Sequence, residues 1–169
     1  SPTILNVTSV ACIIFSVIQV NSGDPWDAIA YFIFYLLTNS LAGPLARYQN
    51  LESEAGAITK IIIYQVALIT AVLAAMGLEW TGNWIGTIYL LLYTTMLWLT
   101  ITLNKVGAPI RLVIRSKNIV LAAILLKMIT DLNWIEPVLW IFSAYMLVMN
   151  LLMIRRLLLT VQDAEKTST

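Results

Sequence analysis

Residues 39–64 read NSLAGPLARYQNLESEAGAITKIIIY. One apolar run, residues 26–42, leads into this stretch, and another, residues 56–78, leads out of it. The stretch therefore reads as the junction of two helices, each close to the ~20 residues that a bilayer requires. Asn39, Ala42, Gly43, Ala46 and Arg47 fall at i, i+3, i+4, i+7 and i+8, one face of the first helix. Gly56, Lys60 and Tyr64 fall at i, i+4 and i+8, one face of the second. Eight residues separate Arg47 from Gly56, enough for a turn, so the two stripes meet near one membrane surface. The small residues Ala42, Gly43, Ala46, Gly56 and Ala57 leave room between the helices.

The rest of the chain has the same character. Of its 169 residues 60% are hydrophobic and 11% charged, whereas a soluble domain carries about 25% charge. The fold class expected is all-α, a polytopic integral membrane protein with six transmembrane helices. They run over about 4–20, 26–42, 56–78, 84–103, 118–132 and 137–158. The fifth is short enough to require tilt or local thinning of the bilayer. Residues 1–158 form one transmembrane domain and residues 159–169 a polar cytoplasmic tail, with no internal repeat or linker. The opening SPTILN has neither a basic n-region nor a cleavage site, so no secretory signal is expected.

Six spans sort the charges cleanly. One side receives Arg47, Lys60, Lys105, Arg111, Arg115, Lys117, Arg155, Arg156 and Lys166. The opposite loops hold Asp24, Asp27, Glu79, Asp131 and Glu136 without a Lys or Arg, and Trp26, Trp80, Trp84 and Trp134 lie there as an aromatic belt. The positive-inside rule makes both termini cytoplasmic, and a bacterial inner membrane is the expected location. Lys127 is the exception, four residues before Asp131 and placed to pair with it or to snorkel outward.

Composition narrows the chemistry. There is no histidine, which removes the commonest general base and transition-metal ligand. The single Cys12, in an apolar run, builds neither an internal disulfide nor a zinc site. A net charge of +1 gives no reason to expect nucleic acid as a partner. No cofactor and no metal site is expected.

The opening stretch resembles the motif of the CDP-alcohol phosphotransferases, D-x2-D-G-x2-A-R-x8-G-x3-D-x3-D. This chain has N-x2-A-G-x2-A-R-x8-G-x3-K-x3-Y at the same spacings, so Gly43, Ala46, Arg47 and Gly56 match. Asn39, Ala42, Lys60 and Tyr64 stand where the four aspartates belong. SPTILNVTSV is similar to the family's polar entry to its first helix, and IRSKNIVLAAILL to its basic loop before the fifth. The likeness covers nearly the whole chain and implies the family's six-helix bundle.

In that family the aspartates hold divalent cations that bind the CDP diphosphate, and the last is thought to activate the acceptor alcohol. Mg²⁺ or Mn²⁺ needs hard, largely anionic oxygen ligands. Asn39 offers one neutral carbonyl oxygen, Ala42 offers nothing, and Lys60 repels a cation. Tyr64, with a reference pKa of about 10, is a poor base. Glu52 and Glu54 lie in the connecting loop off both stripes, solvated or paired with Arg47 or Lys60. The expectation is a catalytically inactive, CDP-alcohol phosphotransferase-like protein, a pseudoenzyme acting as a structural or accessory subunit. Its expected partners are membrane lipids and another integral membrane protein or complex, or a second copy of itself. The alternative is a CDP-alcohol phosphotransferase of phospholipid biosynthesis with an altered active site; a transporter, or a regulator of an active homologue, ranks lower. Arg47, Lys60, Arg111 and Arg115 are the candidates for binding an anionic lipid or nucleotide, or for simple anchoring to anionic headgroups. Ala67, Ala71, Ala74 and Ala75, and Met146, Met149 and Met153, suit either a partner surface or internal packing.

Overall fold

Hydrocarbon offers a backbone no hydrogen-bond partners, so a chain this apolar must satisfy its amides within its own segments. The computed structural model describes residues 2–23, 25–49, 54–108, 116–130 and 132–168. Its elements are α1 (Pro2–Asn21), α2 (Pro25–Tyr48), α3 (Glu54–Gly77), α4 (Asn83–Lys105), α5 (Ser116–Thr130) and α6 (Ile135–Ser168), with no strand among the described residues. The all-α architecture is as expected. Four helices hold stretches long and apolar enough to cross a membrane: Trp26–Tyr48, Thr59–Gly77, Asn83–Lys105 and Ile135–Gln162. The apolar part of α1, Ile4–Val20, is shorter. α5 has 15 residues, about 22 Å at the helical rise against a hydrocarbon core of ~30 Å.

Two helices outrun the segments expected from the sequence. α2 continues past Ala42 through Pro44, which lies inside the helix, to Tyr48. The proline removes one backbone hydrogen bond, but the stripe from Asn39 to Arg47 stays on a single helix. α6 has 34 residues, about 51 Å of helix, so the segment from residue 159 to Ser168 continues the helix instead of forming a loose tail.

Only 28% of the residues in the α2, α4 and α6 spans are buried, and 33% in α3. The helices turn side chains such as Phe15, Leu37, Leu91, Trp98 and Ile141 outward, a surface suited to hydrocarbon and compatible with an integral membrane protein. α1 packs on α2 and α3, α4 pairs with α6, and α5 touches α2, α3 and α6. The core gathers Phe32 and Tyr35, Leu68 and Val72, Tyr89 and Met96, Ile124, and Leu139. Ala67, Ala71 and Ala75 are buried, as are Met146, Met149 and Met153, so both groups serve internal packing. Gly86 of α4 is buried against α3: a Cβ there would stand 2.5 Å from the Met76 sulfur.

With apolar solvent outside, polar contacts between helices supply much of the specificity. Ser16 Oγ of α1 donates to the Ala28 carbonyl of α2 at 2.8 Å. Gln65 Nε2 of α3 donates to Thr94 Oγ1 of α4 at 2.6 Å. Asn150 Nδ2 of α6, itself buried, donates to the Leu92 carbonyl of α4 at 3.0 Å. Thr95, Thr100 and Thr102 fold their hydroxyls back onto the carbonyls of Leu91, Met96 and Trp98, one turn earlier.

The helix ends show one departure from economy. α4 finishes with the Ala108 amide donating to the Leu103 carbonyl and Gly107 at φ +75°. α3 finishes in the same way, the Trp80 amide on the Ala75 carbonyl and the Glu79 amide on the Met76 carbonyl. This double closure requires a left-handed residue just past the helix. At α3 that residue is not glycine but Glu79, at φ 58°. Replacing Glu79 by Gly is therefore expected to stabilise the fold by about 1 kcal/mol. Asn150→Leu, which deletes the bond from α6 to the Leu92 carbonyl of α4, is expected to cost about 0.6 to 1.7 kcal/mol. Unfolding of both variants in nanodiscs, by heat or denaturant, measures the two effects.

Candidate functional site

The motif's two stripes meet. Gly43 of α2 and Lys60 of α3 approach so closely that a Cβ on Gly43 would lie 2.7 Å from the Lys60 Nζ. Glycine at 43 thus makes room for an ammonium group. One turn back along α2, Asn39 carries a buried carbonyl oxygen with no hydrogen-bond partner among the described residues. Ala42 is buried at 4% exposure and contributes only packing. Ala46 is half-buried, whereas Arg47 and Gly56 lie at the exposed edge.

Two cations lie close to the Tyr64 ring. The Lys60 Nζ is 5.6 Å from the centre of the Tyr64 ring, and the Lys117 Nζ lies over the same ring at 2.8 Å. The two ammonium groups are therefore no more than the sum of these distances, 8.4 Å, apart. At an effective dielectric of about 20 their repulsion is about 2 kcal/mol or more, which the electron-rich ring face offsets in part. The hydroxyl of Tyr64 also lies within electrostatic range of those of Tyr35 on α2 and Tyr93 on α4. A stack of Tyr89 on Tyr93, centroids 6.1 Å apart, carries the Tyr89 hydroxyl to 3.3 Å from the Ser116 Oγ. That contact fixes the first turn of α5 and, with it, the residue next to Ser116, Lys117.

Of the expected residues, the Lys60 side chain of α3 reaches Gly43 of α2 and lies near the Tyr64 ring, Asn39 stands one turn from Gly43 on α2, and Ala42 is buried. Arg111, Arg115 and Glu52 lie outside the described residues, as do the side-chain surroundings of Glu54 and Ala57. The expected pairing of Lys127 with Asp131 involves a residue outside them too. Lys117 joins the site without having been picked out for it. Its signal was its place in the basic stretch IRSKN, which predicts a cytoplasmic charge but not a contact with a tyrosine more than fifty positions earlier.

No protein-family model matches the chain, and no curated protein does. The divalent cation implied by the resemblance to CDP-alcohol phosphotransferases does not fit these residues. The ammonium of Lys60 fills the space beside Gly43, Ala42 has no donor atom, and Asn39 supplies one neutral oxygen. Such a cluster has positive charge to offer an anion and little to offer a metal.

Two aromatic substitutions separate the ring from its hydroxyl. Tyr64→Phe keeps the face that both lysines use and should leave the unfolding temperature in nanodiscs close to that of the wild type. Tyr64→Leu removes it and should cost about 1 to 2 kcal/mol. Equal losses in the two variants would make the hydroxyl, and not the ring face, the partner of the lysines.

Proposed function

We propose that this chain is a catalytically inactive relative of the CDP-alcohol phosphotransferases, a pseudoenzyme that serves as an accessory subunit of a membrane protein complex. In this proposal all six helices cross a bacterial inner membrane, α1 and α5 with local thinning or tilt, and both termini face the cytoplasm. The Lys60 ammonium, seated against Gly43 at a position where the family motif has an acid, is the observation that carries the assignment. It supports loss of metal-dependent phosphoryl transfer, which relies on the cation to neutralise developing charge.

The same pocket is suited to an anionic lipid headgroup. A phosphate received between Lys60 and Lys117 relieves their mutual repulsion, and Arg47 at the exposed edge adds to the positive field. The phosphate is bound and not turned over, because no carboxylate of the motif remains to hold a metal or accept a proton.

Two measurements test this. Purified protein with CDP-diacylglycerol, a panel of alcohols and Mg²⁺ or Mn²⁺ should release no CMP; release at an enzymatic rate establishes the alternative, a transferase with an altered site. Mild extraction should recover the chain in stoichiometric association with a larger membrane complex, carrying phosphatidylglycerol that falls at least tenfold in the double variant K60Q/K117Q. A lone homodimer without lipid dependence would overturn the accessory role.

A further inference from the structure

α6 outruns the helix it pairs with, and the excess carries leucine where a lipid-facing helix turns polar. Trp84 and Lys105 on α4 stand at the same separation as Trp134, just before α6, and Arg155 within it. That separation is about 32 Å of helix, against a hydrocarbon core of ~30 Å. One slab thus fits both helices, with tryptophan at one edge and Lys105, Arg155 and Arg156 at the other. α4 closes at Gly107, just past the basic edge, whereas α6 runs on through residues 157–168, about 18 Å more. Leu147, Leu151, Ile154, Leu158 and Val161 follow one another at steps of 4, 3, 4 and 3 and are 41–60% exposed. The stripe beside them turns polar at the edge, with exposed Arg155 and Gln162.

Inside hydrocarbon an outward leucine needs no explanation, because lipid suits it. Past the edge it meets headgroups and water, and Leu158 and Val161 do so on the one face that stays apolar. Steps of 4 and 3 are those of helices wound side by side, with Leu151 and Leu158 at one core position and Ile154 and Val161 at the other. Arg155 then takes the flanking position through which such helices choose their partners by charge. No residue three or four positions from Arg155 or Arg156 is acidic, so the adjacent turns of α6 offer them no acid, and the end of α4 adds Lys105. A second copy, sharing the membrane orientation, brings the same arginines to the same level. Anionic headgroups answer the arginines but leave Leu158 and Val161 among polar groups.

We infer that this face of α6 packs in a coiled-coil seam against a transmembrane helix of another protein, one that continues past the membrane and carries carboxylates beside Arg155. This docking rests on the accessory role proposed above and gives that role its surface. Leu157, turned inward, packs against the core, so the bundle holds α6 in place while the seam stays open.

The test places the full chain in phosphatidylcholine nanodiscs with a synthetic transmembrane helix whose leucines keep the same alternating steps and continue past the bilayer. The residues flanking its seam at headgroup depth are Glu, Gln or Lys in separate versions, and energy transfer between dyes on chain and peptide reads association. The Glu version is expected to bind roughly tenfold more tightly than the others, to lose that advantage in R155Q/R156Q, and to weaken several-fold in L158Q/V161Q. Equal binding of all versions, binding indifferent to L158Q/V161Q, or complete displacement of the Glu version by phosphatidylglycerol overturns the inference. So does a disulfide between two copies of L158C, in a chain also carrying C12S, that the Glu version does not suppress: the chain is then its own occupant. Arg155, Arg156, Leu158 and Val161 are all exposed, and unchanged thermal unfolding verifies that the variants fold. Recovery from cells of an undiminished complex with L158Q/V161Q places the subunit's contact elsewhere and overturns this docking alone. Absence of a complex with the wild type overturns the accessory role, and the peptide comparison still judges the face.

Discussion

The constraint on which everything else depends is the apolar surface of the helices, four of which are long and apolar enough to cross a membrane. In hydrocarbon every main-chain amide must find a partner within its own helix, and the hydrophobic effect gives the helices no reason to associate. What remains is close packing and a few polar contacts. Close packing explains why Gly86 lies against Met76 and why Ala67, Ala71 and Ala75 are buried. The polar contacts explain why Gln65, Thr94 and Asn150 occupy positions between helices where a leucine would cost no desolvation. Each costs desolvation and returns specificity of pairing, which a sheath of leucines facing leucines cannot supply.

Against that background the two ends of the molecule differ in kind. At the basic end, charge is brought inward: Lys60 is half-buried at Gly43, and Lys117 rests on an aromatic ring supported by the tyrosines of α4. At the acidic end, charge stays at the surface, where Glu79 and Glu136 border a groove fixed by Asn133. The interior of the bundle separates these surfaces, with Phe32, Leu68 and Leu139 among its fully packed side chains.

Much of the architecture was legible in the sequence because hydropathy reads the solvent directly. The helix class and the six segments followed from apolar runs, and the meeting of Gly43 with Lys60 followed from spacing across one short connection. Less legible were features set by contacts between distant segments. Lys117 lies over Tyr64 beside a Ser116 held by the Tyr89 hydroxyl, and no periodicity within α5 announces this. The persistence of α2 through Pro44 was obscured because proline usually ends a helix, though a single missing amide can be tolerated. The left-handed Glu79 was hidden because Gly77, two residues earlier, is the more obvious place for a helix to stop. By sequence alone the first and fifth segments count as spanning too, whereas the apolar part of α1 and the 15 residues of α5 are shorter than the four helices long and apolar enough to cross a membrane.

The seat of Lys60 against Gly43 has one more consequence. A metal held by carboxylates comes and goes by mass action, so its occupancy follows the free ion concentration and yields to chelators. An ammonium on a four-carbon tether is present once per chain at a fixed, very high local concentration, whatever the ionic composition of the cytoplasm. If the chain is the relative proposed above, Lys60 stands as a permanent positive charge where that family would hold a diffusible one. Chelators and divalent-ion supply, which set the occupancy of a metal site, have no hold on this charge.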